Sequence, residues 1–139
     1  MTVVFDTNVF ISAVVAPGGS SRRCFTLLAR RRFRAAVTSE ILIEYETVAE
    51  RLAQRPGEFR GMNWRPLFNW LRDTTIYVEP MPLGKARSRD MSDDIFLGCA
   101  LAAGAATIVT HDADLLTLGK PFGVEMVKPT AFVARIQAL

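Results

Sequence analysis

Short apolar segments alternate along this chain with longer segments whose apolar residues lie three and four positions apart. The short segments are typical of buried strands, and the longer ones are typical of helices with one apolar face. The predicted strands are residues 2–5, 33–38, 74–78, 107–110 and 124–127. Because strands separated by helices usually form a parallel sheet with helices on both faces, we expect a three-layer α/β/α fold with a central sheet of four to five parallel strands.

Helices are predicted in the segments between these strands. They cover residues 8–15 (as a helix or a turn), 21–31, 40–55, 64–72 and 93–103, and a last helix begins at Pro129. Ser39 and Ser92 are placed to cap the third and fifth helices, because a serine side chain accepts hydrogen bonds from the first turn. In the fourth helix, Leu67, Trp70 and Leu71 are expected to face inward.

Composition bounds the class of protein. The 139 residues suit one domain spanning residues 1–139, and 50% hydrophobic with 22% charged residues is typical of a folded domain. The uncharged stretch 95–110 is shorter than the roughly 20 residues of a membrane-spanning helix, so no membrane association is expected. Asp6 interrupts the first apolar run, so no secretory signal is expected either. Cys24 and Cys99 form neither a disulfide framework nor a zinc motif, which favours the reducing cytoplasm.

The basic residues are almost all arginines. The net charge is +3 with an isoelectric point near 9.2, and 14 arginines stand against 3 lysines. Arginine binds phosphate through two parallel hydrogen bonds, so this composition indicates a polyanionic partner, either a nucleic acid or an acidic protein segment. A genome rich in G and C would produce the same preference, so composition alone does not decide between the two explanations.

Acidic residues follow two of the predicted strands. Asp6 directly follows the strand at 2–5, and Asp112 and Asp114 follow the strand at 107–110. Ligands of open α/β sheets bind beyond the carboxyl ends of the strands, so these acids are placed to bind a metal ion. Each acid also has a purely structural explanation. Asp6 could form a turn, and helix capping suits Asp114 better than Asp112.

Two further groups of acids lie on predicted helices. At about 100° per residue, Glu44 borders the apolar face of its helix, whereas Glu46 points away from it. Glu44 therefore either reaches the site or remains at the border of the helix, where it is paired with Arg51 or exposed. Asp93 and Asp94 open an otherwise apolar helix, where the helix dipole stabilises carboxylates. This stabilisation is a sufficient explanation for Asp94.

These acids would meet at one edge of the sheet. Two carboxylates about 4 Å apart repel each other by roughly 4 kcal/mol at an effective dielectric constant of 20. Such a cluster needs protons or cations, and Mg²⁺ or Mn²⁺ is the usual partner of an oxygen-only ligand set. His111 is the only histidine, which leaves little support for a zinc site or for a histidine-based nucleophilic mechanism.

Four segments resemble the ordered sequence motifs of PIN domains. They are residues 3–9 (VVFDTNV), 39–45 (SEILIEY), 90–97 (DMSDDIFL) followed by Ala100-Leu101, and 110–116 (THDADLL). The resemblance spans nearly the whole chain, and four motifs in order are specific, whereas Asp-Thr-Asn alone would be weak. Within this family the chain is similar to the VapC-like ribonucleases, which are the toxin components of toxin–antitoxin pairs.

The resemblance implies a ribonuclease that requires Mg²⁺ or Mn²⁺, prefers single-stranded RNA, is inhibited by a cognate antitoxin protein and forms a homodimer. The residues that it assigns are Asp6, Glu44, Asp93 and Asp112 as catalytic and metal-binding acids, Asp114 as an accessory metal ligand, and Asn8, Thr110 and Asp94 as polar groups that hold the acids. The choice of Asp93 over Asp94 depends on aligning Ala100 and Leu101 with the family.

RNA contacts are expected from arginines. Arg22 and Arg23 precede the apolar part of a helix and are candidates for phosphate contacts, whereas the alternative for any single arginine is simply a position on the solvated surface. Trp64, Phe68 and Trp70 belong to the core or to a subunit interface, or include a residue that stacks on a base.

Two other functions are compatible with parts of the pattern. A haloacid-dehalogenase-like phosphohydrolase also places an aspartate after its first strand, but it would have a second aspartate at the position of Asn8. Formation of a covalent aspartyl-phosphate would identify it. A non-catalytic PIN-fold binding module would keep the fold without metal-dependent cleavage.

Overall fold

The strands of the computed structural model form one parallel sheet. The structure describes residues 1–84 and 94–139. Its strands are β1 (Thr2–Phe5), β2 (Arg34–Val37), β3 (Ile76–Tyr77), β4 (Thr107–Val109) and β5 (Glu125–Val127). Within the described residues every strand pair is parallel, and the strand order is β3-β2-β1-β4-β5. The expected α/β class with a parallel sheet is confirmed.

Helices flank this sheet. They are α1 (Thr7–Val15), α2 (Ser20–Ala29), α3 (Ser39–Gln54), α4 (Arg65–Thr74), α5 (Asp94–Ala103), α6 (Ala113–Leu116) and α7 (Pro129–Gln137), with a short 3₁₀ helix at Pro121–Gly123. Phe5 of β1 packs against Phe25 of α2 at 4.7 Å and against Phe132 of α7 at 6.4 Å between ring centroids. The largely buried, apolar α5 packs against β1, β2 and β4.

The N-terminal cap of α3 differs from the prediction. Thr38, not Ser39, precedes the helix, and its hydroxyl oxygen accepts a hydrogen bond from the Ile41 N–H at 3.2 Å. Thr38 is completely buried at the end of β2, whereas Ser39 is exposed. The Ile41 N–H lies in the core, where water cannot reach it, so it needs a protein acceptor. The predicted cap at Ser92 lies outside the described residues.

The inward face of α4 also differs in part from the prediction. Leu71 is buried as expected, but Phe68 is the other buried side chain of the helix, and Leu67 and Trp70 are only half-buried. Trp64 is buried just before the helix and packs edge-on against Phe68 at 5.6 Å between ring centroids. Trp64 and Phe68 are therefore core residues and do not offer a surface for stacking on a base.

The register of the central strands places the ends of β1 and β4 side by side. Phe5 pairs with Val109, and the Asp6 N–H continues the ladder by donating to the Val109 carbonyl at 3.0 Å. Asp6 and Thr110 therefore follow adjacent strand ends at the carboxyl edge of the sheet. Because β2 is parallel to β1, α3 begins at the same edge. The chain thus delivers side chains from three elements to one side of the sheet, where ligands of such sheets bind.

Candidate active site

Asp6 is a buried carboxylate that accepts three hydrogen bonds. It is 4% exposed, and its Oδ1 accepts from the Thr7 N–H at 2.7 Å. Its Oδ2 accepts from the Thr110 hydroxyl at 2.6 Å and from the Asn8 side-chain amide at 3.1 Å. These bonds fix the orientation of the carboxylate. Since a carboxylate offers about four lone-pair positions, Asp6 retains capacity for one more ligand.

The environment of Asp6 opposes its negative charge. The pKa of the Asp6 carboxyl rises from its ordinary value of 3.8 to about 6. Burial is the main cause, the charges of Asp112 and Glu44 contribute in the same direction, and the hydrogen bonds from Thr110 and Thr7 oppose the rise. Asp112 and Glu44 are therefore each near enough to Asp6 to repel its negative charge. A cation beside them would lower the free energy of the ionised form of Asp6.

Glu44 reaches the site from α3. Its Oε2 accepts a hydrogen bond from the hydroxyl of Thr7, the first residue of α1. The next residue, Tyr45, is buried, and its hydroxyl donates to the Phe5 carbonyl at the end of β1. Burial raises the pKa of Tyr45 well above 10, so its hydroxyl remains a donor. Among the described residues Glu44 forms no ion pair with Arg51, so the surface pairing considered for Glu44 is not observed.

Asp112 lies at the end of β4 and also caps α6. Its Oδ1 accepts from the Asp114 N–H at 2.8 Å, and its own N–H donates to the Thr110 Oγ1 at 2.9 Å. The expectation that capping suits Asp114 better is therefore wrong, because Asp114 lies within the first turn of the helix. The Thr110 hydroxyl accepts from Asp112 and donates to Asp6, so it connects two of the acids.

A cleft of about 840 Å³ brings three of the predicted acids to one surface. Asp6, Glu44 and Asp112 line it together with Glu40 and Arg51. Its apolar lining comes from Ile11, Ile43, Val48, Leu52, Phe59 and Ile95. Of the other predicted acids, Asp93 lies outside the described residues. Asp94 and Asp114 are described, but they are not among the residues that line the cleft.

A sequence model of the PIN domain matches residues 2–114, which is most of the chain. The chain belongs to the PIN-domain family. PIN domains are generally nucleases, and they generally use divalent metal ions. The resemblance of the four sequence motifs to this family is thereby confirmed.

Two solved structures share the fold of this PIN domain. PAE2754 from Pyrobaculum aerophilum aligns with a TM-score of 0.68 and 15% identity over 100% of this chain and 91% of that one. VapBC2 from Rickettsia felis, bound to a DNA fragment from their promoter, aligns with a TM-score of 0.60 and 16% identity over 92% of this chain and 98% of that one. At these identities the likeness concerns the fold. A search of curated proteins finds no match to the sequence.

The donor atoms of this PIN domain fit a hard divalent cation. Asp6, Glu44 and Asp112 offer carboxylate oxygens, which Mg²⁺ and Mn²⁺ prefer. In the described parts of the chain, no three His, Cys, Asp or Glu side chains are close enough to hold one ion together. The described acids thus approach one another without forming a closed ligand set. A hard divalent ion bound here would need water ligands in addition to the described carboxylates.

Thr7 and Ser21 join the site although neither was predicted to do so. Ser21 is 3% exposed, and its Oγ lies 3.0 Å from His111 Nε2. The backbone N–H of His111 donates to the Asn8 Oδ1 at 3.1 Å. These contacts connect the start of α2 to the loop that carries Asp112. The position of Thr7 between two polar site residues could have indicated its role, whereas no local pattern marks Ser21.

Arg22 and Arg23 lie at the start of α2, next to this contact. The guanidinium of half-buried Arg22 donates to the Ala13 carbonyl at 3.0 Å, and Arg23 is exposed. Neither is among the described residues that line the cleft.

In the described ranges, no helix is long and apolar enough to cross a membrane.

Replacing Thr110 with valine is expected to lower the free energy of unfolding by about 2 kcal/mol. The change keeps the side-chain shape but leaves the Asp112 N–H without its acceptor and removes one of the three donors to Asp6, and a group that loses its hydrogen-bond partner in this way costs about 1–3 kcal/mol. Urea unfolding in chelator measures the effect. Thr107→Val is the matched control, because Thr107 is also buried on β4 but forms no side-chain hydrogen bond with the described residues. Equal losses in the two variants would contradict the role of the Thr110 hydroxyl.

Proposed function

We propose that this PIN domain is a divalent-metal-dependent endoribonuclease that hydrolyses RNA phosphodiester bonds and acts as the toxin of a toxin–antitoxin pair. The observation that carries this proposal is the environment of Asp6. This carboxylate is buried, its pKa is raised to about 6, and it lies in the same cleft as Glu44 and Asp112. Burying a carboxylate near other acids destabilises the fold, and a bound cation would offset this destabilisation. Membership of the PIN family supports nuclease chemistry at this place.

We assign the following roles. The catalytic and metal-binding acids are Asp6, Glu44, Asp93 and Asp112, with Asp114 as an accessory ligand and Asn8, Thr110 and Asp94 as supporting polar groups. A bound Mg²⁺ or Mn²⁺ would neutralise charge on the scissile phosphate and make a water molecule more acidic. Hydrogen bonds from Thr7, Asn8 and Thr110 orient the Asp6 carboxylate, and those from Thr7 and Thr110 partly offset the rise in its pKa.

The attack on phosphorus and the accompanying proton transfer involve a water molecule and the carboxylates. Glu44 or Asp93 orients a water molecule for attack on phosphorus and accepts its proton. The bond between phosphorus and the 3′ oxygen breaks, and the leaving 3′ oxygen takes a proton from solvent water, so the products carry a 5′-phosphate and a 3′-hydroxyl. The Thr7 hydroxyl holds Glu44 in place for this task.

The proposed partners follow from the family and from the charge. RNA is the substrate, and Arg22 and Arg23 at the start of α2 are candidates for phosphate contacts. The structural likeness to VapBC2 from Rickettsia felis supports a cognate antitoxin protein as the inhibitor. We further propose a homodimer that acts in the cytoplasm.

A matched pair of glutamates on α3 tests the proposed function. Glu44→Gln is expected to reduce RNA cleavage by about 100-fold, because a glutamine cannot accept the proton of the attacking water. Glu46→Gln removes the same charge two residues away on the exposed face and is expected to change the rate less than about twofold. Labelled single-stranded RNA is incubated with each protein in Mg²⁺, in Mn²⁺ or in chelator.

Three outcomes of this assay would contradict the proposed nuclease. They are no cleavage by the parent protein in either metal, undiminished cleavage in chelator, and equal rates for the two variants.

The two alternative functions have less support. Asn8 replaces the second aspartate of a haloacid-dehalogenase-like site, and the retained acids Asp6, Glu44 and Asp112 argue against a binding module without catalysis.

A further inference from the structure

Positive charge is concentrated in one segment of the chain. Residues 7–39 contain six arginines and no acidic residue, so this segment has a formal charge of +6 and the rest of the chain has a net charge of −3. The arginines are Arg22, Arg23, Arg30, Arg31, Arg32 and Arg34. All of them lie on α2 or between α2 and the first residue of β2.

This segment leads from the rim of the cleft to the opposite edge of the sheet. At the start of α2, Ser21 Oγ lies 3.0 Å from Nε2 of His111, which directly precedes a proposed catalytic acid. At the other end, the N–H of Arg34 donates to the Met1 carbonyl at 2.8 Å, where β1 and β2 begin. The 10 residues of α2 span about 15 Å. The arginines are therefore distributed along a path that starts at the candidate active site.

Four of these arginines have no acidic partner in the described parts of the chain. Arg23, Arg30, Arg31 and Arg34 are exposed, and no carboxylate of residues 1–84 and 94–139 pairs with them. Arginines elsewhere do have such partners, in the pairs Arg65–Glu50, Arg72–Asp73 and Arg135–Glu125. An arginine without an acidic partner keeps its five N–H donors for a ligand.

Two of the four share a groove. Arg23 and Arg30 line a space of about 190 Å³ with Gln137 at the end of α7. They are seven residues apart, which places them on the same side of α2 and about 10 Å apart along its axis. Gly18 and Gly19 line the same groove, and the first turn of α2 contains no acidic residue. The groove is therefore open to an anionic chain that lies along the helix.

We propose that Arg23, Arg30, Arg31 and Arg34, the α2 arginine surface, bind backbone phosphates of the RNA beyond the scissile bond. Phosphates repeat along a nucleic-acid strand, and they match a row of guanidinium groups that bind them in a bidentate manner. RNA is preferred to an acidic protein segment because the surface begins beside the cleft in which the scissile phosphate would lie. The identity of this polyanion rests on the proposed function.

Salt dependence of RNA binding tests the α2 arginine surface. Arg23→Gln/Arg30→Gln is compared with Arg65→Gln/Arg72→Gln, which removes the same charge from two arginines that have acidic partners. Binding of a labelled 20-nucleotide single strand is measured by fluorescence anisotropy in chelator at several salt concentrations. Each lost phosphate contact lowers the slope of log affinity against log salt by about 0.7, so the first variant is expected to lose about 1.4 and the second close to zero. At low salt, the first variant is expected to bind at least about tenfold more weakly.

Two results would overturn this assignment, provided that circular dichroism shows folded variants. One is an equal change in slope and affinity for both double variants. The other is that a labelled polyglutamate of matched charge binds the parent protein as tightly as RNA does, which would indicate an acidic protein partner. Because the chelator prevents the proposed hydrolysis, the binding result does not depend on catalysis. RNA binding without cleavage in Mg²⁺ would contradict the nuclease and leave the surface supported.

Discussion

Replacing Asp6 with asparagine is expected to remove most RNA cleavage and to stabilise the metal-free fold. The rise in the pKa of Asp6 from 3.8 to about 6 corresponds to an unfavourable free energy of about 3 kcal/mol for the ionised group. Asparagine has no charge, but its amide nitrogen cannot accept the hydrogen bonds of Thr110 and Asn8, so we expect a net gain of about 1–2 kcal/mol at pH 7. Cleavage should fall by about 1,000-fold, since charge neutralisation at the phosphate contributes several kcal/mol.

The stability difference between this variant and the parent protein should depend on pH. Because folded Asp6 binds its proton more tightly than the unfolded chain does, the metal-free parent loses stability as the pH rises from about 4 to about 6, and the loss is complete above that range. Asp6→Asn has no such loss. The amount by which its free energy of unfolding exceeds that of the parent therefore grows as the pH rises from about 4 to about 6.

Urea unfolding in chelator between pH 4 and pH 7 measures both proteins, and Mg²⁺ should then stabilise the parent more than the variant. A variant that is less stable than the parent at pH 7 in chelator, or that cleaves RNA at the parental rate, would refute this account of Asp6.

Phe132→Ala is expected to lower the free energy of unfolding by about 4 kcal/mol. Phe132 is completely buried, and its ring packs edge-to-face with Phe33 at 4.9 Å and with Phe5 at 6.4 Å. Alanine removes both ring contacts and leaves a cavity, and such changes cost about 3–5 kcal/mol. Because Phe5 directly precedes Asp6, the cavity would also loosen the strand end that carries the buried acid.

Urea unfolding of a second variant, Phe132→Leu, provides the comparison. Leucine retains much of the side-chain volume, so its loss should be only about 1–1.5 kcal/mol. If the alanine variant were as stable as the leucine variant, the packing of α7 against β1 would not have the importance that these distances indicate. The leucine variant also provides a folded protein if the alanine variant does not fold.

Most elements were predictable because the central strands are buried on both faces. The run at 2–5 matches β1, and such continuous apolar runs are typical of parallel strands. The segment at 74–78 was less predictable. Strand β3 contains only Ile76 and Tyr77, and both are exposed at the edge of the sheet. An edge strand makes ladder contacts on one side only, so its length depends on its neighbour more than on its own sequence.

The positions of the acids were more predictable than their contacts. Helical periodicity places Glu44 at the border of the apolar face, from which it reaches the cleft. The capping roles of Thr38 and Asp112 were assigned to adjacent or nearby residues instead. Helix boundaries are uncertain by one or two residues in sequence, and a cap is defined by the boundary itself. The contact between Ser21 and His111 joins residues 90 positions apart, which no local pattern can indicate.

The hydrogen bond between Asp6 and Thr110 joins residues 104 positions apart in the chain. At ribosomal rates of about 5–20 residues per second, roughly 5–20 s of synthesis separate the two residues. Throughout that interval the nascent polypeptide contains Asp6 without the Thr110 hydroxyl and the Asp112 carboxylate, which follow β4. In the proposed nuclease, competence to cut RNA would therefore arise only late in translation, after β4 and the residues that follow it have been made.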